Sequence, residues 1–192
     1  QGNIRVEQLK RFNSFEADTM DHATYGVKVL FEEGMIRQFI EEDTWDDVIR
    51  TAIAKHSDYE LTGITDERTL LHARLIRDAD KLDNCRVKLE DAMETLLDLS
   101  ADEVGKYAIS PKVREDAFAG KCICSKDRRT PMDYWVSYVA YFYDLNFRET
   151  LDIVAEEQYV KRIIGRVPYT NEQTKKTMEE LERQLTEYVR RK

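Results

Sequence analysis

Glycine and proline are scarce in this chain, with seven and three among 192 residues. A β-sandwich with many tight turns needs more of both, so their scarcity favours helices joined by short loops. No segment shows the sustained alternation of apolar and polar residues that is typical of a half-buried strand. The sequence therefore predicts an all-α fold.

Three further absences argue against particular classes of partner or site. The chain has no apolar run of membrane-spanning length and no signal peptide, so a membrane partner is not expected. It also lacks an excess of positive charge, and its net charge of −8 argues against general nucleic-acid binding. The three cysteines lack the spacing of a structural zinc site, and we interpret them as reduced thiols in a cytoplasmic protein.

Residues that cap helix ends mark where the helices begin and end. They predict, in chain order, a helix over 21–33 ended by Gly34, a helix over 44–56, a long helix from Asp66, helix starts at Ser110-Pro111 and Thr130-Pro131, and capping boxes at 44–47, 146–149 and 170–173. Residues 119–129 are predicted to be irregular, and their Lys-Asp-Arg-Arg run at 126–129 to be a solvated loop, with contact to a phosphate as the alternative.

The charged C-terminal segment is the one candidate for a separate element. Residues 1–165 are predicted to form the helical domain and residues 166–192 a charged helix beside it. Its apolar residues form a single narrow stripe, which consists of Met178, Leu181, Leu185 and Val189. We expect this stripe to pack on the domain or against a second subunit, which leaves room for a homodimer.

A run of aromatic residues between 134 and 143 has helical spacing. Its members are Tyr134, Trp135, Tyr138, Tyr141, Phe142 and Tyr143. Such side chains can stack on a nucleobase, but aromatics at this spacing usually form a core, and we predict that these do.

Histidines and one acidic cluster are the best candidates for chemistry. Of three histidines, His22 opens a predicted helix and His56 ends another. Asp80 lies in an acidic stretch beside a hydrophobic stripe, where burial costs energy unless a cation or donors compensate. His72 lies roughly 80° from Asp80 around its helix and is expected to be structural. Spacing alone leaves two alternatives, a metal site or ordinary polar residues on helices.

Three blocks of sequence resemble successive blocks of the HD-domain phosphohydrolases: DHATYGVKVL at 21–30, IAKH at 53–56 and IRDADKLDN at 76–84. The last block is similar to the LADRLHN stretch of the HD hydrolases that degrade guanosine alarmones. The first two resemble the additional histidine blocks of members with two metal ions. The resemblance implies an HD-domain-like helical bundle in which His22, His56 and Asp80 bind one or two divalent transition-metal ions (Mn, Fe, Co, Ni or Zn).

The same resemblance implies an activity. It points to hydrolysis of a phosphomonoester or phosphodiester in a small, nucleotide-like substrate by water that the metal activates. His22 and His56 would take part in catalysis as well as in metal binding, and Arg5, Lys81 and Asn84 would bind the substrate. The alternative is a degenerate, non-catalytic HD fold that binds a nucleotide or a protein.

The adjacent His-Asp pair that defines the family is missing from its expected place. In close relatives the pair opens a segment resembling HDIGRFEQL, and here Gln1 and Gly2 stand at the two positions, although Arg5 and residues 7–9 match. Two explanations are open: the sequence is a fragment of a longer chain, or the protein lacks the pair. In the second case the usual high-affinity metal position cannot form.

Overall fold

The protein is a set of helices joined by short loops. The structure, a computed structural model, describes residues 22–191, and within that range it contains no strand. The prediction of an all-α fold is therefore confirmed. No helix in this range is long and apolar enough to cross a membrane. Contacts between residues divide the chain into two units, 1–77 and 78–192.

Over residues 22–77 the first unit contains two short helices and the beginning of a long one. Its described elements are α1 (His22–Val27), a π-helical turn (Lys28–Glu32), a 3-10 turn (Met35–Gln38), α2 (Asp46–Lys55) and the start of α3 (Glu67–Glu90). Helix α1 packs against α2, and Ala23, Tyr25 and Ala52 are buried in this unit. The unit thus depends on a small core, to which each helix contributes a few residues.

Helix ends in the first unit agree only in part with the prediction. Gly34 has a φ of 77° and ends the first helical segment as expected, because glycine adopts this left-handed conformation without a steric penalty. Asp66 opens α3 by accepting hydrogen bonds from the backbone N–H and the hydroxyl of Thr69, at 2.7 and 2.6 Å. The capping box predicted at 44–47 is wrong, because Trp45 caps α2 without a side-chain hydrogen bond.

The second unit contains the larger core. Its elements after α3 are α4 (Met93–Leu97), α5 (Ala101–Val104), α6 (Pro111–Phe118), α7 (Pro131–Ala140), α8 (Arg148–Glu156), α9 (Tyr159–Ile164) and α10 (Glu172–Arg191), with 3-10 turns at Ser125–Asp127 and Tyr141–Asp144. The four apolar residues of the α10 stripe are all buried in this core.

The aromatic run lies at the centre of the second unit. Trp135 and Phe142 are fully buried, Tyr143 is nearly so, and Tyr138 and Tyr141 pack against the same core. The prediction that these five form a core is confirmed. Tyr134 differs, because it is 40% exposed.

A buried carboxylate joins two helix starts in the second unit. The hydroxyl of Thr130 caps α7 as predicted, and Asp133, fully buried on α7, completes a capping box with it. Asp133 also accepts hydrogen bonds from the backbone N–H and the hydroxyl of Ser110, at 2.8 and 2.6 Å. Ser110 therefore begins α6 as predicted, but its hydroxyl bonds to Asp133 and does not cap the helix.

Two other helix starts have different capping groups from those predicted. The capping box at 146–149 is wrong, because Phe147 caps α8 without a side-chain hydrogen bond. The donors at this end bond to the buried carboxylate of Asp78 instead. At the start of α10 the backbone N–H of Thr174 donates to the side chain of Asn171 at 3.0 Å.

Candidate functional site

His22 and His56 meet in the first unit, although 34 positions separate them in the sequence. Their Nε2 atoms lie 3.0 Å apart, and the rings meet edge to face with centroids 4.9 Å apart. His22 begins α1 and His56 is the C-cap residue of α2, so the packing of these two helices brings the imidazoles together. His56 is only 4% exposed.

The second ring nitrogen of His56 determines which tautomer can occur. Its Nδ1 lies 2.6 Å from the carbonyl oxygen of Ile53. A carbonyl only accepts, so Nδ1 carries the proton and donates to it. In neutral His56 the lone pair is therefore on Nε2 and points at His22. A hydrogen bond of this kind from the other ring nitrogen is the usual support of a metal-binding histidine.

The separation of the two nitrogens suits a shared metal ion. With metal–nitrogen bonds of about 2.1 Å, two imidazoles on one ion have nitrogens about 3.0 Å apart at a right angle and about 3.4 Å apart at a tetrahedral angle. The 3.0 Å between the Nε2 atoms falls at the lower value. This separation is also an ordinary hydrogen-bond distance, so it is compatible either with a hydrogen bond between the rings or with two ligand positions of one ion.

A complete metal site needs more than this pair. Three protein ligands are the usual minimum for a catalytic zinc ion. Across residues 22–191, no three His, Cys, Asp or Glu side chains are grouped so that they could hold a metal ion. The described residues thus supply two ligand positions, and further ligands would have to join them.

The other predicted site residues lie on α3 in the second unit. Asp80 is partly buried. The ammonium of Lys81 pairs with the carboxylate of Asp144 at 2.7 Å. The amide of Asn84 donates to the backbone carbonyl of Asp80 at 2.8 Å and accepts from the ammonium of Lys88 at 3.2 Å. A phosphorylated substrate would therefore have to compete with existing partners of Lys81 and Asn84.

Two side chains have raised pKa values near Asp80, Cys85 on the same helix and Tyr141 beside it. Burial raises the pKa of Tyr141 well above its usual value, and the negative charge of Asp80 adds to this effect. Burial also raises the pKa of the Cys85 thiol to about 11. Cys85 lies 3.0 Å from the hydroxyl oxygen of Tyr141. At neutral pH both groups are therefore protonated, and neither is a nucleophile.

The structure bears differently on Arg5, His72 and the cysteines. Arg5 lies outside the described residues. His72 is exposed and lines a hollow with Trp45, Val48, Ile49 and Arg68. All three cysteines are free thiols in the structure.

Sequence reasoning missed the roles of two consecutive residues on α3. Arg77 is 4% exposed and donates to the backbone carbonyl of His56. Asp78 is 1% exposed and accepts from Asn146 and Phe147. Their signal was available, because an Arg-Asp pair beside a hydrophobic stripe must have hydrogen-bonding partners if it is buried. The pattern does not reveal which partners these are.

Comparisons of the chain with models of protein families, with curated proteins and with solved structures find no match.

Proposed function

We propose that this protein hydrolyses small, nucleotide-like phosphate esters with a divalent transition metal, in the manner of the HD-domain phosphohydrolases that its sequence resembles. The observation that supports the proposal is the pair of Nε2 atoms of His22 and His56, 3.0 Å apart. These two histidines come from separate sequence blocks of the resemblance. Their meeting is what a common ligand site requires.

In this proposal the two histidines bind the metal and orient the reacting groups. His56 keeps its lone pair at Nε2 because its Nδ1 proton is donated to Ile53. His22 presents its own Nε2 to the same point. A bound transition metal would supply positive charge to a phosphoryl oxygen and make water available as hydroxide near neutral pH. Imidazole ligands suit Mn, Fe, Co, Ni or Zn more than Mg or Ca.

The remaining roles are assigned to residues of the resemblance. Asp80 is proposed as a carboxylate ligand, and Arg5, Lys81 and Asn84 as contacts to the substrate phosphate. A net charge of −8 repels an anionic substrate over most of the surface. Binding a phosphate ester therefore needs a local positive charge, which a metal ion would supply. The proposed substrate is a phosphomonoester or phosphodiester.

Metal titration of the metal-stripped full chain tests the proposal. Mn²⁺ and Ni²⁺ are titrated by calorimetry into wild-type protein and into His22→Ala, His56→Gln and His72→Ala. His72 is the matched control, since it is a histidine outside the pair. We expect the first two variants to bind metal about 10–100-fold more weakly and His72→Ala to bind like wild type.

Activity is then measured on p-nitrophenyl phosphate and bis(p-nitrophenyl) phosphate with each metal. Turnover should depend on metal and be lost in His22→Ala and Asp80→Ala. Equal metal binding by wild type and both pair variants would contradict the assignment of the ligands.

A non-catalytic nucleotide- or protein-binding module is the second candidate. The observation that favours it is that no three-ligand metal group occurs among residues 22–191. Nucleotide binding without metal uptake and without turnover would support this candidate over the hydrolase.

A further inference from the structure

Arg77 is a buried cation whose donors point at one short stretch of backbone. The side chain comes from α3 and is 4% exposed. Its guanidinium donates to the carbonyl oxygens of His56, Asp58 and Tyr59, the first at 3.0 Å and the last at 2.9 Å. Burying a guanidinium is costly unless such hydrogen bonds compensate. These three carbonyls therefore have to stay where Arg77 can donate to them.

The three carbonyls follow the last turn of α2. Carbonyl groups at the C-terminal end of a helix lack partners within the helix and carry the negative end of its dipole. A buried cation is therefore favoured at this position. The same turn is held on another side by the ion pair of Lys55 and Asp58, at 2.9 Å. Arg77 thus fixes the path of the backbone where α2 ends.

His56 is the C-cap residue of this helix, with φ −63° and ψ −28°. Its backbone carbonyl is held by Arg77, and its ring is held through Nδ1 by the carbonyl of Ile53, one turn earlier. The Nδ1 contact limits rotation of the ring, and Arg77 fixes the backbone from which the side chain leaves. Both contacts therefore help to direct Nε2 toward His22.

We propose that Arg77 is a positioning residue for the metal-binding histidine pair, an inference that rests on the proposed function. It acts through His56 and is not itself a ligand. Arginine suits this role because its planar guanidinium carries five donors and can serve three carbonyls at once. A lysine keeps the charge but offers one compact ammonium, which cannot reproduce the same arrangement.

The test compares Arg77→Lys and Arg77→Met with Arg86→Lys in the full chain. Arg86 is the matched control, because it lies on the same helix but is exposed and pairs with Asp83 and Glu90. Nitrogen NMR of ¹⁵N-histidine-labelled, metal-free protein reports which ring nitrogen of His56 carries the proton. In wild type we expect a single tautomer with the proton on Nδ1, and in both Arg77 variants an averaged signal.

Metal binding provides the second readout. Arg77→Lys and Arg77→Met should bind Ni²⁺ about 10–100-fold more weakly than wild type, the range found when a contact that orients a metal-binding histidine is removed. Arg86→Lys should bind as tightly as wild type. Urea unfolding of each variant separates a loss of stability from a loss of positioning, because only the latter changes the tautomer of folded protein.

Two results would overturn the inference. One is a wild-type His56 without a proton fixed on Nδ1, which needs no variant to fold. The other is Arg77→Lys with wild-type ring signals and a Kd for Ni²⁺ within about twofold of wild type. If wild-type protein binds no metal at all, the proposed function fails, while the ring signals still decide whether Arg77 positions His56.

Discussion

Replacing Asp78 with alanine should destabilise the second unit strongly. Its carboxylate accepts from the backbone N–H of Asn146 at 3.0 Å, from the side-chain amide of Asn146 at 2.8 Å and from the backbone N–H of Phe147 at 3.0 Å. These donors lie at the start of α8, where no side chain of the helix itself caps the end. The substitution would remove the acceptor of both backbone N–H groups, while the side-chain amide of Asn146 would keep its bond to the carbonyl of Asp144.

The magnitude follows from the number and type of these bonds. A hydrogen bond to a charged group contributes about 1.5–3 kcal/mol. The three donors share one carboxylate, so their contributions do not add. The whole loss is therefore about 3–5 kcal/mol, which lies between the value of one such bond and the sum of three. For a chain of this size that loss lowers the melting temperature by roughly 6–20 °C.

Thermal and urea unfolding of Asp78→Ala, Asp83→Ala and Asp80→Ala measure this difference. Asp83 is an exposed control on the same helix whose carboxylate pairs with Arg86, and its loss should cost less than about 1 kcal/mol. Asp80→Ala should also leave stability nearly unchanged and should instead weaken metal binding. If Asp78→Ala unfolds at the same temperature as Asp83→Ala, the capping role assigned to Asp78 is refuted.

Three further predictions concern the second unit. Burial raises the pKa of Cys85 from about 9 to about 11. The stabilisation that the folded protein gains from the protonated thiol is therefore complete below pH 9 and is lost as pH rises through 11. Between pH 8 and pH 10.5 the free energy of unfolding should fall by about 2 kcal/mol from this thiol, and urea unfolding of Cys85→Ala should not show that part of the fall. Asp133→Asn should cost about 2–4 kcal/mol in urea unfolding, because the amide has a single accepting oxygen and its NH2 group would face donors that now bond to the second carboxylate oxygen; a wild-type midpoint would contradict the shared cap with Ser110. Gly105→Ala should cost about 1–3 kcal/mol in thermal unfolding, since the new Cβ would meet the carbonyl oxygen of Pro168; an unchanged melting temperature would show that this contact relaxes.

Several helix ends could be predicted from local signals, although the capping box at 44–47, also a local signal, was wrong. The helix stop at Gly34 and the capping hydroxyl of Thr130 depend on neighbours within a few residues, and both were predicted from the sequence. The cap at 146–149 could not be predicted in the same way. Its donors found a stronger acceptor in Asp78, which lies 68 positions away from Asn146, and a buried carboxylate outweighs a local side-chain cap.

The candidate site shows the same division. The sequence marked His22, His56 and Asp80 as chemically notable, and the structure brings the two histidines together within the first unit. Their roles as metal ligands and the place of Asp80 in a metal site stay predictions. The dependence of His56 on Arg77 was not visible in the pattern, because a buried arginine and a surface arginine look alike in sequence.

By itself the sequence determined the helical class of this protein, most helix ends and the short set of residues able to do chemistry. These properties follow from backbone preferences and from apolar spacing, which act between close neighbours. Only the tertiary structure decided that the Nε2 atoms of His22 and His56 face each other, that Arg77 holds the end of α2 and that Asp78 caps α8. Those pairings depend on how helices pack and on which buried polar groups find partners, and neither is set by residues close in sequence.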